Sequence, residues 1–276
     1  MRKLVSTSAS SRPAAERGLI LHGVDFGGCD SAGSAKIRIA ERVLAPKSAV
    51  TVRNRIDRHA LRRAILETMN DGGEHLWRIN APFGLPIECF AEARPEGLAA
   101  GELTWQSIAQ WMSGFASARE WRAAMREFTR REPKRACDRA LHAPLAPMNL
   151  RMFKQTFVVI TEILVPLVNE GVPIMPVSMP HGRTASATRV CESCPASVLA
   201  SYRWPAKGYK GVGEPPRKLR EDIIRLLRKE GIDIPSAFAV EAIHDVEGGL
   251  LDALIMLTPP ISSELSHEAA VEGWIY

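Results

Sequence analysis

An aspartate that closes an apolar strand and is followed by flexible backbone can receive a metal ion or a phosphate at a sheet edge. Asp25 is such a residue: it lies in the stretch Gly18–Ser31 (GLILHGVDFGGCDS), with Gly27 and Gly28 just after it. The same residues also read as a strand running into a turn, where Asp and Gly are common. Three further acids occupy comparable places. Glu192 follows TRVC and precedes Pro195, which starts a helix; Asp252 sits inside the otherwise apolar LLDALIML; Asp245 lies just before Gly248-Gly249. An ionised carboxylate on a buried face is costly unless it is paired or holds a metal. If Asp25, Glu192 and Asp252 converge, they can hold two Mg²⁺ or Mn²⁺ ions, which steady the attacking and leaving oxygens of a phosphodiester displacement. Taken singly, Asp252 also reads as an exposed position on a short amphipathic helix, and Glu192 as a cap or surface ion pair. Their joint placement at element ends is what favours a site.

Other chemistries find less in the chain. Cys191-Glu192-Ser193-Cys194 is formally a C-x-x-C, but no second cysteine pair completes a zinc or redox set. His22, His181 and His244 are scattered, so a histidine base or switch has no constellation around it. No G-x-S-x-G, Walker A motif or full G-x-G-x-x-G occurs.

The elements that must position the acids follow from periodicity. The run ending at Asp25, then 35–44 (AKIRIAERVL) and 49–53 (AVTVR), are three strand patterns joined by short turns, which predicts an antiparallel meander. Asp57 caps a helix over 58–69, and LWRIN at 76–80 is a fourth strand stopped by Ala81-Pro82. Between about 83 and 170 the pattern turns helical, with helices from Thr104, over 118–130 and over 152–170. The arginines of 118–139, Arg135 among them, are interleaved with glutamates and read as a solvated face rather than a phosphate patch. Strand patterns return at 172–177 and 188–192, helices at 215–229 and 250–257, and 271–276 (VEGWIY) reads as a terminal strand.

At 276 residues the chain can bury a sizeable core, and 46% hydrophobic with 24% charged residues is ordinary for a globular protein. The formal charge of +5 permits a polyanionic partner, while 6% aromatic residues argue against a surface of many base-stacking platforms. No apolar segment is long enough to span a membrane, and five cysteines without a framework predict a reducing, cytoplasmic location. Residues 1–17 read as a flexible N-terminal segment and 18–276 as a single domain with the helical insertion at about 83–170.

The succession HGVDFGG, RINAPFGLP, CESCPASVL, YKG, PPRKLREDIIRLL, HDVEGGLLDAL and EGWIY resembles the family of predicted RNase H-like nucleases, over nearly all of the chain from Gly18. The resemblance implies an α/β fold: an RNase H-like mixed central sheet with three antiparallel leading strands, flanked by helices. It also implies that Asp25, Glu192 and Asp252 are catalytic metal ligands, with Asp245 a fourth acid. Lys210, Arg217 and Arg220 become phosphate or nucleic-acid contacts. Where the family reads Ile-Asp-Ala-Pro, this chain has Ile79-Asn80-Ala81-Pro82; Asn80 can still ligate a metal through its carbonyl oxygen but brings no charge. The expectation is a Mg²⁺- or Mn²⁺-dependent nuclease. The alternative is a nucleic-acid-binding or scaffold protein on a weakened nuclease fold. A third reading starts from Asp25-Phe26-Gly27-Gly28, which is similar to the phosphate loop of actin-like phosphotransferases; it lacks the second phosphate loop those folds need.

Overall fold

The computed structural model describes residues 18–28, 35–45, 48–91, 93–96, 98, 103–129, 131–179 and 187–276. The N-terminal segment 1–17, the end of the Gly-rich loop from Cys29 to Ser31, Arg130 and His181 lie outside the described residues.

Three strands form the expected meander: β1 (Ile20–Asp25), β2 (Ile37–Val43) and β3 (Thr51–Ile56), each antiparallel to the next. Helix α1 (Arg58–Thr68) follows, its first turn closed by the Asp57 carboxylate, which accepts from the Ala60 N–H at 2.7 Å. It returns the chain to β4 (His75–Asn80), parallel to β1. Two further parallel strands complete a six-stranded mixed sheet in the order β3-β2-β1-β4-β6-β5. Of these, β5 is only Ile174–Met175, because Pro173 and Pro176 flank it and cannot donate to a ladder; β6 is Thr188–Glu192.

The region between β4 and β5 is helical, as its pattern predicts: α2 (Trp105–Ser113), α3 (Ala118–Phe128), α4 (Ala136–Ala140) and a long helix α5 over 153–169. Thr104 and Ser107 form a capping box at the start of α2. Helix α5 widens to π geometry at Val159–Leu164, immediately before Pro166, whose missing N–H would break a regular ladder. After β6 come α6 (Pro195–Ser201), α7 (Glu214–Lys229), α8 (Ser236–His244), α9 (Gly249–Ile255) and α10 (Ala269–Glu272). The strand expected at 271–276 is replaced by α10 and a single bridge between Ile275 and Glu192. Both carboxylate oxygens of Glu272 accept backbone N–H groups, from Ile87 and Ala136, which holds that segment as a helical turn against the insertion.

The two faces of the sheet are covered by different parts of the chain, and strand alternation decides which residue meets which cover. Val24, Ile39, Trp77, Ile79 and Val190 pack with α1 and the helical insertion. Leu21, Ala40, Leu76 and Cys191 pack with α6–α9. Helix α9 is buried along its whole length. It lies so close to β1 that a β-carbon on Gly23 would come within 2.1 Å of the Ala253 carbonyl oxygen, so only glycine fits there.

Candidate active site

Asp25 ends β1 and Asn80 ends β4, and the parallel register pairs them side by side. Counting in twos from Leu21 and Leu76 puts both on the α9 face. Helix α9 then brings Asp252 down onto them. Asn80 Nδ2 donates to Asp25 Oδ1 at 3.2 Å and to Asp252 Oδ2 at 3.4 Å, so one amide spans the two carboxylates. Gly249 makes this approach possible: a β-carbon there would lie 2.5 Å from Asp25 Oδ2.

Asp252 is 1% exposed and its oxygens are engaged. Oδ1 accepts from the Tyr209 hydroxyl at 2.8 Å, and Oδ2 accepts from Lys210 Nζ at 2.5 Å. Burial pushes the Asp25 carboxyl up to about 7, helped by the Asp252 charge and opposed by Lys210, Asn80 and Arg38. Burial also raises the Asp252 carboxyl, against the pull of Lys210 and Tyr209. The Tyr209 phenol is pushed well upward by burial and by Asp252, so it stays a proton donor. Two desolvated acids thus face one ammonium, a site short of positive charge.

Glu192 does not join this pair. Its register partner on β4 is Ile79, not Asn80, so the pleat turns it toward the insertion. There it is 3% exposed and gripped by Arg135: Nη1 donates to Oε2 at 2.7 Å and Nη2 to Oε1 at 2.5 Å, while the Phe83 N–H adds a third bond at 2.8 Å. Arg135 also pairs with Asp138. The arginine read as part of a solvated face is therefore buried, and no spacing or periodicity signal marks it.

The remaining candidates are placed as follows. Asp245 pairs with Arg38 and accepts the Leu250 N–H at 3.0 Å, which ties the start of α9 to β2 beside Asp25. Lys210 is at the acids. Arg220 is 2% exposed and donates to three backbone carbonyls, those of Ile243, Tyr209 and Gly211. It is not available to a phosphate; it fixes the loop that presents Tyr209 and Lys210. Arg217 pairs with Glu221 one helical turn on, in solvent and outside the cavity lining. His22 stacks on Trp77 and lies 2.8 Å from His75 within the sheet, and His244 bonds its own helix at Val240; neither lines the cavity. Cys191 and Cys194 are free thiols.

Asp25, Asn80 and Asp252 open into a cavity of about 550 Å³ at the C-terminal edge of the sheet. Gln155 of α5 braces its floor, Nε2 donating to the backbone oxygens of Phe26 at 2.7 Å and Asn80 at 2.5 Å. Glu192 and Arg135 line the same cavity from the insertion side.

For a hard divalent cation, the donor set here is two carboxylates and, with its amide turned over, the Asn80 carbonyl oxygen. Those residues fit one such ion, whose charge would offset the burial and the neighbouring Asp252 carboxylate that together raise Asp25. Among the described residues no group of three or more acids, histidines or cysteines is placed to hold a metal, at these acids or elsewhere, so an ion here would rest on two carboxylates and one amide. No family model, curated protein or solved structure matches this chain. Among the described residues no helix is long and apolar enough to cross a membrane.

Proposed function

We propose that this chain is a divalent-cation-dependent phosphodiesterase acting on nucleic acid, on an RNase H-like version of its mixed sheet. The observation that carries the reading is the pairing of Asp25 with Asp252 through Asn80, on adjoining elements, at the mouth of a cavity and beside one lysine. The antiparallel β1–β3 meander followed by parallel β4 supports the finer fold.

In this reading Asp25, Asp252 and Asn80 hold one Mg²⁺ or Mn²⁺ ion, and Glu192 is left out of the ligand set. When bound, such an ion supplies Lewis-acid stabilisation of the phosphoryl oxygens. The chain does the rest. Tyr209 keeps Asp252 oriented through its hydroxyl. Lys210, with its side chain 51% exposed, reaches from Asp252 toward an incoming phosphate and offsets its charge. The Phe26–Asn80–Gln155 contacts hold the strand ends rigid beneath the reacting group.

The test is cleavage of labelled single- and double-stranded DNA, RNA and hybrids with Mg²⁺ or Mn²⁺, with Asp25→Asn protein purified identically. Metal-dependent cleavage lost in Asp25→Asn is expected; equal cleavage by both proteins would expose a contaminant. A second reading, a nucleic-acid-binding protein without turnover, draws on the Arg135 grip on Glu192 and on Asn80 in place of an acid. It requires polyanion binding, no cleavage, and affinity kept or raised in Asp25→Asn.

A further inference from the structure

We infer that the substrate enters as a chain end, with a single nucleoside seated in the cavity, so that the enzyme removes terminal nucleotides and does not cut within a strand. The inference rests on the phosphodiesterase reading and adds the shape of what is cut.

Size is the first argument. The cavity at the acids holds about 550 Å³, within the roughly 300–1,000 Å³ of sites that enclose a small ligand. A protein that reads a duplex along its length instead covers it with roughly 1,000–2,500 Å² of open surface. Here the acids do not lie on an open sheet edge. The cavity that they open into is lined by Pro144, Leu145 and Met152 of the insertion and by Pro195, Ala196 and Ala206 of the segments after β6.

Chemistry is the second argument. Those six residues supply apolar surface on which the face of a base and the carbons of a sugar can pack. Three cations of the lining are exposed, Lys210 at the acids, Arg151 and Lys207, while a fourth, Arg135, is buried against Glu192 and Asp138. Acids with an ammonium, apolar residues and exposed cations in one lining are the groups that a scissile phosphate, its nucleoside and flanking phosphate charge call for. Among the described lining residues the aromatics are Phe26 and Tyr209, and the Tyr209 hydroxyl is committed to Asp252. A row of stacking platforms for successive bases is therefore missing from the lining.

The experiment offers the full-length protein three substrates with Mn²⁺. They are a labelled linear single strand, the same strand ligated into a circle, and a nucleoside p-nitrophenyl phosphodiester, each against the Asp25→Asn control. Stepwise shortening of the linear strand with the circle intact supports the inference. Turnover of the small diester alone, with both strands left intact, overturns the inference, because no chain end is then a substrate. Opening of the circle at a rate similar to linear cleavage overturns the inference while leaving the phosphodiesterase reading standing. Failure on all three substrates, or equal turnover by Asp25→Asn, overturns both.

Discussion

Arg135 holds Glu192 through two parallel N–H···O bonds, of 2.7 and 2.5 Å, with both side chains buried. The pair joins the insertion to the end of β6, and it spends the carboxylate that the sequence offers as a metal ligand. Removing one partner of a buried pair leaves an uncompensated charge, which typically costs about 3–5 kcal/mol. Arg135→Gln should therefore lose stability on that scale in urea unfolding. Arg135→Met combined with Glu192→Met, both made in an Asp138→Asn background, should recover much of it, because no buried charge is then left stranded. Strict additivity of the two single changes would show that the pair contributes no coupling.

Asp25 sets a pH dependence. Its folded-state value of about 7 lies above its ordinary 3.8, so the folded protein holds the proton more tightly than the unfolded chain does. Stability should accordingly fall as pH rises through that window, most of it by about pH 7. Asp25→Asn removes the term, so without divalent metal it should stabilise the protein more at pH 8 than at pH 5. The difference is expected on the order of 2–4 kcal/mol at a shift of this size. Thermal unfolding in EDTA at both pH values checks this; an equal gain at each pH would mean that Asp25 is not the group that titrates.

Lys210 is the ammonium that Asp252 depends on, though half of its side chain is in water. Lys210→Met should cost about 1–2 kcal/mol, less than a fully buried pair for that reason. Added Mn²⁺ should then raise the Tm of Lys210→Met more than that of the parent protein, since a cation at Asp252 replaces the missing charge. An identical shift in both proteins would place the ion elsewhere.

Arg220 and Arg217 lie three residues apart in one basic helix and should behave differently. Arg220→Met strands the carbonyls of Ile243, Tyr209 and Gly211, and should destabilise by about 2–4 kcal/mol. Arg217→Ala, which loses an exposed ion pair, should change stability by less than about 0.5 kcal/mol. The salt dependence of nucleic-acid binding should be untouched by Arg217→Ala; a shallower salt slope would restore it as a phosphate contact.

The sequence by itself determined the local elements and most of their order. Apolar alternation marks β1, β2 and β4, Asp57 marks the cap of α1, and the helical character of the insertion is written in its spacing. It also placed Asp25 at a strand end, because that needs only the run before it and the glycines after it. The sequence did not show which acids would meet. Asp25 and Asn80 share a face because they are partners in a parallel register, and Glu192 misses that face by one residue because its partner is Ile79. A one-residue offset leaves hydropathy almost unchanged, yet it turns a side chain to the other side of the sheet. The same limit hid Arg135, whose charged neighbours read as a solvated surface, and Arg220, whose helix mixes its cations with Glu214, Glu221 and Asp222. Their burial depends on groups outside their own helices, Glu192 for Arg135 and the Tyr209, Gly211 and Ile243 carbonyls for Arg220, and only tertiary contact brings those within reach.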